Sequence, residues 1–487
     1  MAEGKNTQLL GKLPIEVEEK IPTPEEVFKI SKIGIRERIL VLYGSALIAL
    51  GVSIGSGEFL LGPAQAIKYG LTLAWLVPIG AFLQAMYMYS WAKLTIATGE
   101  TPITLMFRIA TWAGWLGALG VLVGNIWGGW AYNSAVALAG GVMRKIPGPQ
   151  DVVAVGIAGA SLLILTFVIL ALGRRIARTL EIFNWIDLGF IFTSFIVLAI
   201  ILIPPQIWGE LAAGLISFKI PQGIDPVQLA AWWGYIGLAT GLNYYATAWF
   251  KDKGFGMSSL TGYIPALIGG KRIEVSAWGK IFKPTPENIR IFKRWTNLAL
   301  EELIVIFFLG AIVGMLIPMS LSYAIARGFG LTLSWNLPMW LALALEKLWG
   351  SWMYWWGIFV AVFVLFKTQL GIVDAVVRNM ADAAWKFDNL RKFFRNDIRY
   401  LYYLLAVVYL AWASLAFVAT APGVLILISA NMANAGALWG IPFLIYLNYK
   451  MPKEFRLHWS LVILNIIFMI MCIYFMSLSL GRVLGII

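Results

Sequence analysis

Eleven stretches of roughly 20 residues each, nearly free of charge, decide what this chain can fold into. A bilayer core about 30 Å thick is crossed by roughly 20 residues of apolar helix. In hydrocarbon, only helices and closed barrels satisfy their own backbone. The stretches fall near 38–70, 72–97, 112–141, 152–172, 180–203, 228–249, 298–318, 352–376, 400–420, 423–448 and 459–481. They predict an all-α membrane protein with about 11 transmembrane helices. A shorter apolar run, 337–348, ends near Glu346 and Lys347 and reads as an interfacial helix. Composition closes off the alternatives. Charged residues make up 13% of the 487, about half the ~25% of a soluble domain. One cysteine, Cys472, excludes a disulfide framework and any cysteine-based zinc or iron–sulfur site. One histidine, His458, excludes a His-containing triad and most multi-histidine metal chemistry. No nucleophile, carboxylate pair or metal cluster shows catalytic spacing on adjacent spans, so neither an enzyme nor a bound cofactor is expected.

Charge sets the expected orientation. The 38 Lys+Arg against 25 Asp+Glu give +13, and the basic residues fall between the apolar runs rather than in one patch. That pattern argues for membrane topology and against nucleic acid. With the N-terminus inside, the cytoplasmic loops hold Arg174, Arg175, Arg178, Lys251, Lys253, Lys271, Arg272, Arg378, Lys386, Arg391, Lys450 and Lys453. The outside loops offer only Lys68, Arg144, Lys145, Lys219, Arg327 and Lys347. The chain is therefore expected as a multi-pass protein of the cell membrane, N-terminus cytoplasmic and C-terminus extracellular. Residues 1–37 carry mixed charge without a signal-peptide pattern and read as a cytoplasmic tail, partly helical.

Two spans are interrupted. Span one carries Gly55, Ser56, Gly57 and Glu58 at its middle, and span six carries Gly237, Thr240, Gly241 and Asn243. Glycines in helix interiors weaken them, and unwound backbone in lipid survives only where it is buried in protein or lines a cavity. Each interrupted span opens a set of five. Five is odd, so the second set starts from the opposite side of the membrane. Matched interruptions in two halves point to inverted repeats with a substrate site at the midplane. Helix packing through small residues is the competing account of the glycines. The division is then a tail at 1–37, repeat one at 38–205, an extracellular loop at 206–227, repeat two at 228–449, and span eleven with the C-terminus at 450–487. The expected partners are the lipid bilayer and a small ion or small molecule, with the monomer as the working unit.

The stretch 44–76, including Lys68, Tyr69 and Gly70, resembles the first span of the Nramp family of proton-coupled divalent-metal transporters. That family lies within the amino acid–polyamine–organocation superfamily. Span ten, from Asn431, Asn434 and Gly436 to Asn448, is similar too. The resemblance implies a LeuT-like 5+5 inverted-repeat transporter fold with spans one and six unwound at the midplane. The family's Asp-Pro-Gly-Asn motif is replaced here by Gly55, Ser56, Gly57 and Glu58, and its Met-Pro-His motif by Gly241, Leu242 and Asn243. The chain thus resembles a divergent branch.

Thioether and imidazole suit transition metals, whereas oxygen donors suit Mg²⁺, Ca²⁺ or Mn²⁺. A site of Glu58, Asn243, carbonyls near Gly55 and Thr240, and Asn431 or Asn434 would be all-oxygen and is expected to favour a hard divalent cation such as Mg²⁺ or Mn²⁺. The same Gly55-Ser56-Gly57 turn, with Phe59, also resembles that of amino acid permeases, which keeps an amino acid or organic amine as the alternative substrate. The expected coupling candidates are Glu58, Asp187 and Glu301. Asp187 is read either as an ion-coupling residue or as an interhelical hydrogen-bond partner. Glu301 and Glu302 are placed at the opening of span seven, Asp374 is paired with Arg378, and Lys367 is expected to reach Asp374 or Gln369 or to snorkel.

Overall fold

The computed structural model describes residues 7–486. By length and apolarity alone, eight helices among the described residues can cross a membrane: Ser45–Tyr69, Pro149–Ala171, Ile176–Leu202, Pro286–Ile325, Ser351–Ala384, Ile398–Ala419, Pro422–Lys450 and Trp459–Val483. These are spans one, four, five and seven to eleven. The other three expected spans are also helical. Span two is Leu76–Thr98. Span three is Thr111–Asn125 and Gly129–Met143, and span six is Pro226–Gly234 followed by Leu242–Tyr245 and Thr247–Lys253. Spans three and six fall short as continuous helices because each is broken.

Burial sorts the spans into layers. The most apolar window of span one is 100% buried and that of span eight 89%, against 28% for span four and 22% for span eleven. A helix apolar all round but largely exposed faces lipid, while a fully enclosed one is core. Span eight packs against spans one, three, five and nine, so it is the post around which the breaks are arranged. Several helices begin with a polar cap and a proline at their first position. Asp225 accepts from the Val227 amide at 2.9 Å ahead of span six, and Thr285 caps span seven.

Four expectations need correction. The N-terminal tail contains a hairpin, β1 (Thr7–Leu10) with antiparallel β2 (Leu13–Glu18), and β2 pairs in parallel with β3 (Lys280–Phe282). Among the described residues the tail is also partly helical, as expected, at Pro24–Phe28 and Ile35–Glu37. Alternating apolar residues such as Ile15 and Val17 suit a half-buried strand. Span three is broken at Ile126–Gly128, where Gly128 has a left-handed φ of +65°. Span seven begins at Pro286, so Glu301 and Glu302 lie inside a 40-residue helix and do not open it. The interfacial run does form a helix, Trp340–Trp349, but Trp340 to Ala342 are fully enclosed, and the Trp340 indole donates to Phe59 O at 3.0 Å. It packs chiefly against span eight and touches span one through Trp340 and Phe59.

Candidate functional site at the helix breaks

Span one leaves helical geometry at Ile54, with φ −65° and ψ 80°, and resumes as a wide π-turn over Gly57–Leu61 before Gly62–Tyr69. The groups freed by the break find side-chain partners. Glu58 is completely buried and folds back over the gap, accepting from the Gly55 amide at 3.0 Å and the Ser53 hydroxyl at 3.2 Å. A carboxylate three residues on that returns to a helix-start amide uses the logic of a capping box. The Gly51 and Ile54 carbonyls receive the Lys367 ammonium, at 2.7 Å for Gly51. Lys367 therefore reaches span one rather than Asp374 or Gln369.

Span six stops at Gly234 and turns through Gly237, whose φ of +79° a side chain would strain. Gln84 of span two accepts from the Leu238 amide at 2.8 Å, Thr240 bonds Gly234 O through its amide (3.1 Å) and hydroxyl (3.3 Å), and Asn243 donates to Thr240 O at 3.0 Å. The Asn243 carbonyl oxygen is buried without a partner. The two breaks meet: a Cβ on Gly57 would lie 2.2 Å from Tyr235 O. The break in span three closes the third side. Tyr409 donates to Asn125 O at 2.5 Å, and the Trp130 indole donates to the Ser56 hydroxyl at 2.9 Å while stacking on Tyr235 with ring centres 6.1 Å apart.

Between them lies a cavity of about 10 Å³, about the room of one water molecule. It is lined by Ser53, Ser56 and Gly57 of span one, Trp130 of span three, Tyr235 and Gly237 of span six, and Thr368 of span eight, among others. Of the residues named from the sequence, Ser56, Gly57, Gly237 and Leu242 line it. Gly55, Glu58, Thr240 and Asn243 belong to the flanking breaks. Gly241 is instead pressed against span ten, where a Cβ on Gly436 would meet its Cα at 2.5 Å. Asn431 and Asn434 donate to Val227 O at 3.1 Å and Ala230 O at 2.9 Å, clamping the first half of span six. Trp130, Tyr235 and Thr368 escaped the sequence reading. The Asn125–Gly129 interruption, polar and glycine-containing within an apolar run, was the signal available for span three.

The end of the molecule where span one begins is sealed by ion pairs. Glu302, fully buried, accepts from the Gly44 amide at 2.6 Å and the Ala46 amide at 2.8 Å, while Lys253 bridges Glu181 at 2.7 Å and Tyr43 O at 3.3 Å. Glu301 takes Arg38 and the Tyr43 hydroxyl and is about a third exposed, so it belongs to this seal and not to the breaks. Asp374 pairs with Arg378 at 2.8 Å as expected, and Arg378 also reaches Asp252 at 2.8 Å. Asp187 has no hydrogen-bond partner on either buried oxygen, so it is not an interhelical bridge. Among the described residues, no group of three or more His, Cys, Asp or Glu side chains converges as a metal cluster. Any cation in the cavity would be held by carbonyl, hydroxyl and amide oxygens with few carboxylates.

No protein-family model matches the chain, and no curated protein matches it in sequence. Solved structures do. A manganese transporter of Eremococcus coleocola, in complex with an aromatic bis-isothiourea substituted compound, superposes with a TM-score of 0.61 at 15% identity, covering 93% of this chain and 90% of that one. Mhp1, a nucleobase-cation-symport-1 family transporter in a closed conformation with bromovinylhydantoin bound, superposes with a TM-score of 0.50 at 12% identity, covering 91% and 92%. At such identities the likeness is one of fold: the chain has the LeuT-type fold of an all-α membrane transporter.

Proposed function

We propose that this protein is a secondary transporter that carries a hard divalent cation, Mg²⁺ or Mn²⁺, across the cell membrane by alternating access, as a divergent relative of the Nramp family. The observation that carries the reading is the pair of broken helices enclosing a space of about one water's volume, lined in part by the hydroxyl-bearing Ser53, Ser56 and Thr368, with the buried Glu58 carboxylate bonded to Ser53 beside it. In this reading Glu58 and the unpartnered Asn243 oxygen are the charged and neutral ligands, joined by Ser56 and by backbone carbonyls near Gly55 and Thr240 that would exchange their present partners for the ion. Asn431 and Asn434 hold the moving half of span six. Hard cations accept such donors and keep part of their water shell. With the N-terminus in the cytoplasm, the sealed end is the cytoplasmic gate. Glu301 works there, and Glu58 and Asp187 remain the coupling acids.

A second reading, transport of an organic amine or amino acid, draws on the Trp130–Tyr235 stack, since aromatic faces suit organic cations. Uptake into liposomes by the purified monomer separates the two. Saturable Mn²⁺ uptake competed by Mg²⁺ is the expected result. Preference for Fe²⁺ or Cd²⁺ would refute the hard-ion assignment, and amine uptake without any metal would replace it by the second reading.

A further inference from the structure

The acids beside the seal are shared. Glu181 serves both Lys253 at 2.7 Å and Arg178 at 2.8 Å, and Asp382 serves both Lys251 at 3.0 Å and Lys386 at 3.4 Å. Arg174, Arg175 and Lys271, on the neighbouring turns, form no ion pair among the described residues. Next to these groups is a cavity of about 290 Å³. Arg175 of the turn between spans four and five walls it, with residues 251–254 at the end of span six, Tyr263 beyond them and Phe28 of the tail, among others. Its one acid, Asp252, is committed to Arg378 at 2.8 Å and to the Ile264 amide at 3.0 Å. The exposed Arg175 guanidinium lies on the face of Tyr263, 3.8 Å from the ring centre, an arrangement that leaves its in-plane N–H donors free.

The same turns are apolar and open. Leu172, Leu260, Leu267 and Ile268 are between 39% and 59% exposed. The backbone that carries three of them is held in place. The Gly173 amide donates to Ile268 O at 3.1 Å, the Ile268 amide to Ala171 O at 2.8 Å, and the Leu267 amide to the Tyr403 hydroxyl at 3.0 Å. Apolar side chains fixed outward where spans four and five end need an apolar cover, and at that depth the cover available is acyl chain. A cationic cavity beside an apolar ledge fits a molecule with both characters. We propose that this is a binding site for an anionic phospholipid of the leaflet at that end, its phosphate on Arg175 and its chains over Leu172, Leu267 and Ile268. Arginine suits a phosphate because its planar fork can give two parallel hydrogen bonds. Lys251, which also walls the cavity, spends one of its ammonium protons on Asp382 and keeps the others for the ligand. Lys253 walls it too and bonds Glu181 and Tyr43 O, so a lipid seated there strengthens the sealed arrangement. The proposal goes beyond the transport reading and does not depend on which solute is carried.

Thermal unfolding of the full-length protein in neutral detergent, titrated with phosphatidylglycerol, phosphatidylcholine or inorganic phosphate, tests it. Phosphatidylglycerol is expected to raise the unfolding temperature by several degrees, saturably, and less so as NaCl is raised. Phosphatidylcholine and inorganic phosphate should do little. Arg175→Gln should need about tenfold more phosphatidylglycerol for the same shift. Lys219→Gln, in the loop at the opposite end of span six, should match wild type. Leu267→Ser/Ile268→Ser should also weaken the response. Equal shifts with phosphatidylcholine, equal responses from Arg175→Gln and Lys219→Gln, or stabilisation by inorganic phosphate as strong as by the lipid overturns the proposal. Should Arg175→Gln not fold, the wild type decides: a phosphatidylglycerol shift undiminished at high salt also overturns it.

Discussion

A single methyl group at Gly57 should separate the two halves of the carrier. A Cβ there would stand 2.2 Å from the Tyr235 carbonyl oxygen and 3.1 Å from its carbon, where ordinary contact begins at 3.4 Å. Both partners are backbone in fully packed segments, so no side chain can rotate away, and the breaks in spans one and six must part by about 1 Å. Overpacking of this kind costs about 1–3 kcal/mol. If that cost falls on the closed arrangement alone, its population drops by roughly 5- to 150-fold. Gly189 supplies the control. It lies on an exposed face of span five, and its Cβ would meet nothing within 4 Å. The two alanine variants carry the same chemical change with opposite expectations. Thermal unfolding in detergent should place Gly57→Ala several degrees below wild type and Gly189→Ala at or above it, and liposome uptake should fall only for Gly57→Ala. Equal stability and equal uptake for both would refute the claim that spans one and six touch at the midplane.

Glu58→Gln keeps the volume but weakens the acceptor for the Gly55 amide and Ser53 hydroxyl. A loss of about 1.5–3 kcal/mol in stability and of cation uptake is expected, read by denaturation and tracer flux. At the sealed end, Glu181→Gln takes the paired charge from the buried Lys253 and should cost up to ~3–5 kcal/mol, whereas Glu301→Gln breaks a pair about a third exposed and should cost ~1 kcal/mol or less. Maleimide labelling of a reporter cysteine at Ser53, in a Cys472→Ser background, should therefore rise far more for Glu181→Gln, and equal labelling would count against a buried gate. Trp130→Phe removes the donor to Ser56 while keeping the ring beside Tyr235, so uptake affinity should fall about fivefold for ~1 kcal/mol. A total loss would instead mean that the indole itself binds substrate.

Much of the architecture was legible in the residues because membrane segments advertise themselves. Apolar runs of spanning length have few alternative structures, and glycine with a polar neighbour inside such a run marks unwound backbone. That logic located the breaks in spans one and six, and the i,i+4 spacing identified the pair of Asp374 and Arg378. It failed where the local pattern was ambiguous. The hairpin at Thr7–Glu18 is held by a strand more than 260 residues away, a pairing that its own charge pattern does not announce. The amphipathic start of span seven, rich in charge from Pro286 to Glu302, hid the helix that continues into the apolar run.

The sequence on its own determined that the chain carries many apolar spans fit to cross a membrane and that two of these helices snap along their length. Only the tertiary structure decided which oxygens remain free. Glu58 and Lys367 spend themselves on the broken ends of span one, Asn431 and Asn434 brace span six, and Trp130, Tyr235 and Thr368 come forward to line the cavity. The physical reason is that a buried polar group must find a partner, and partners far apart in the chain become neighbours only once the helices pack.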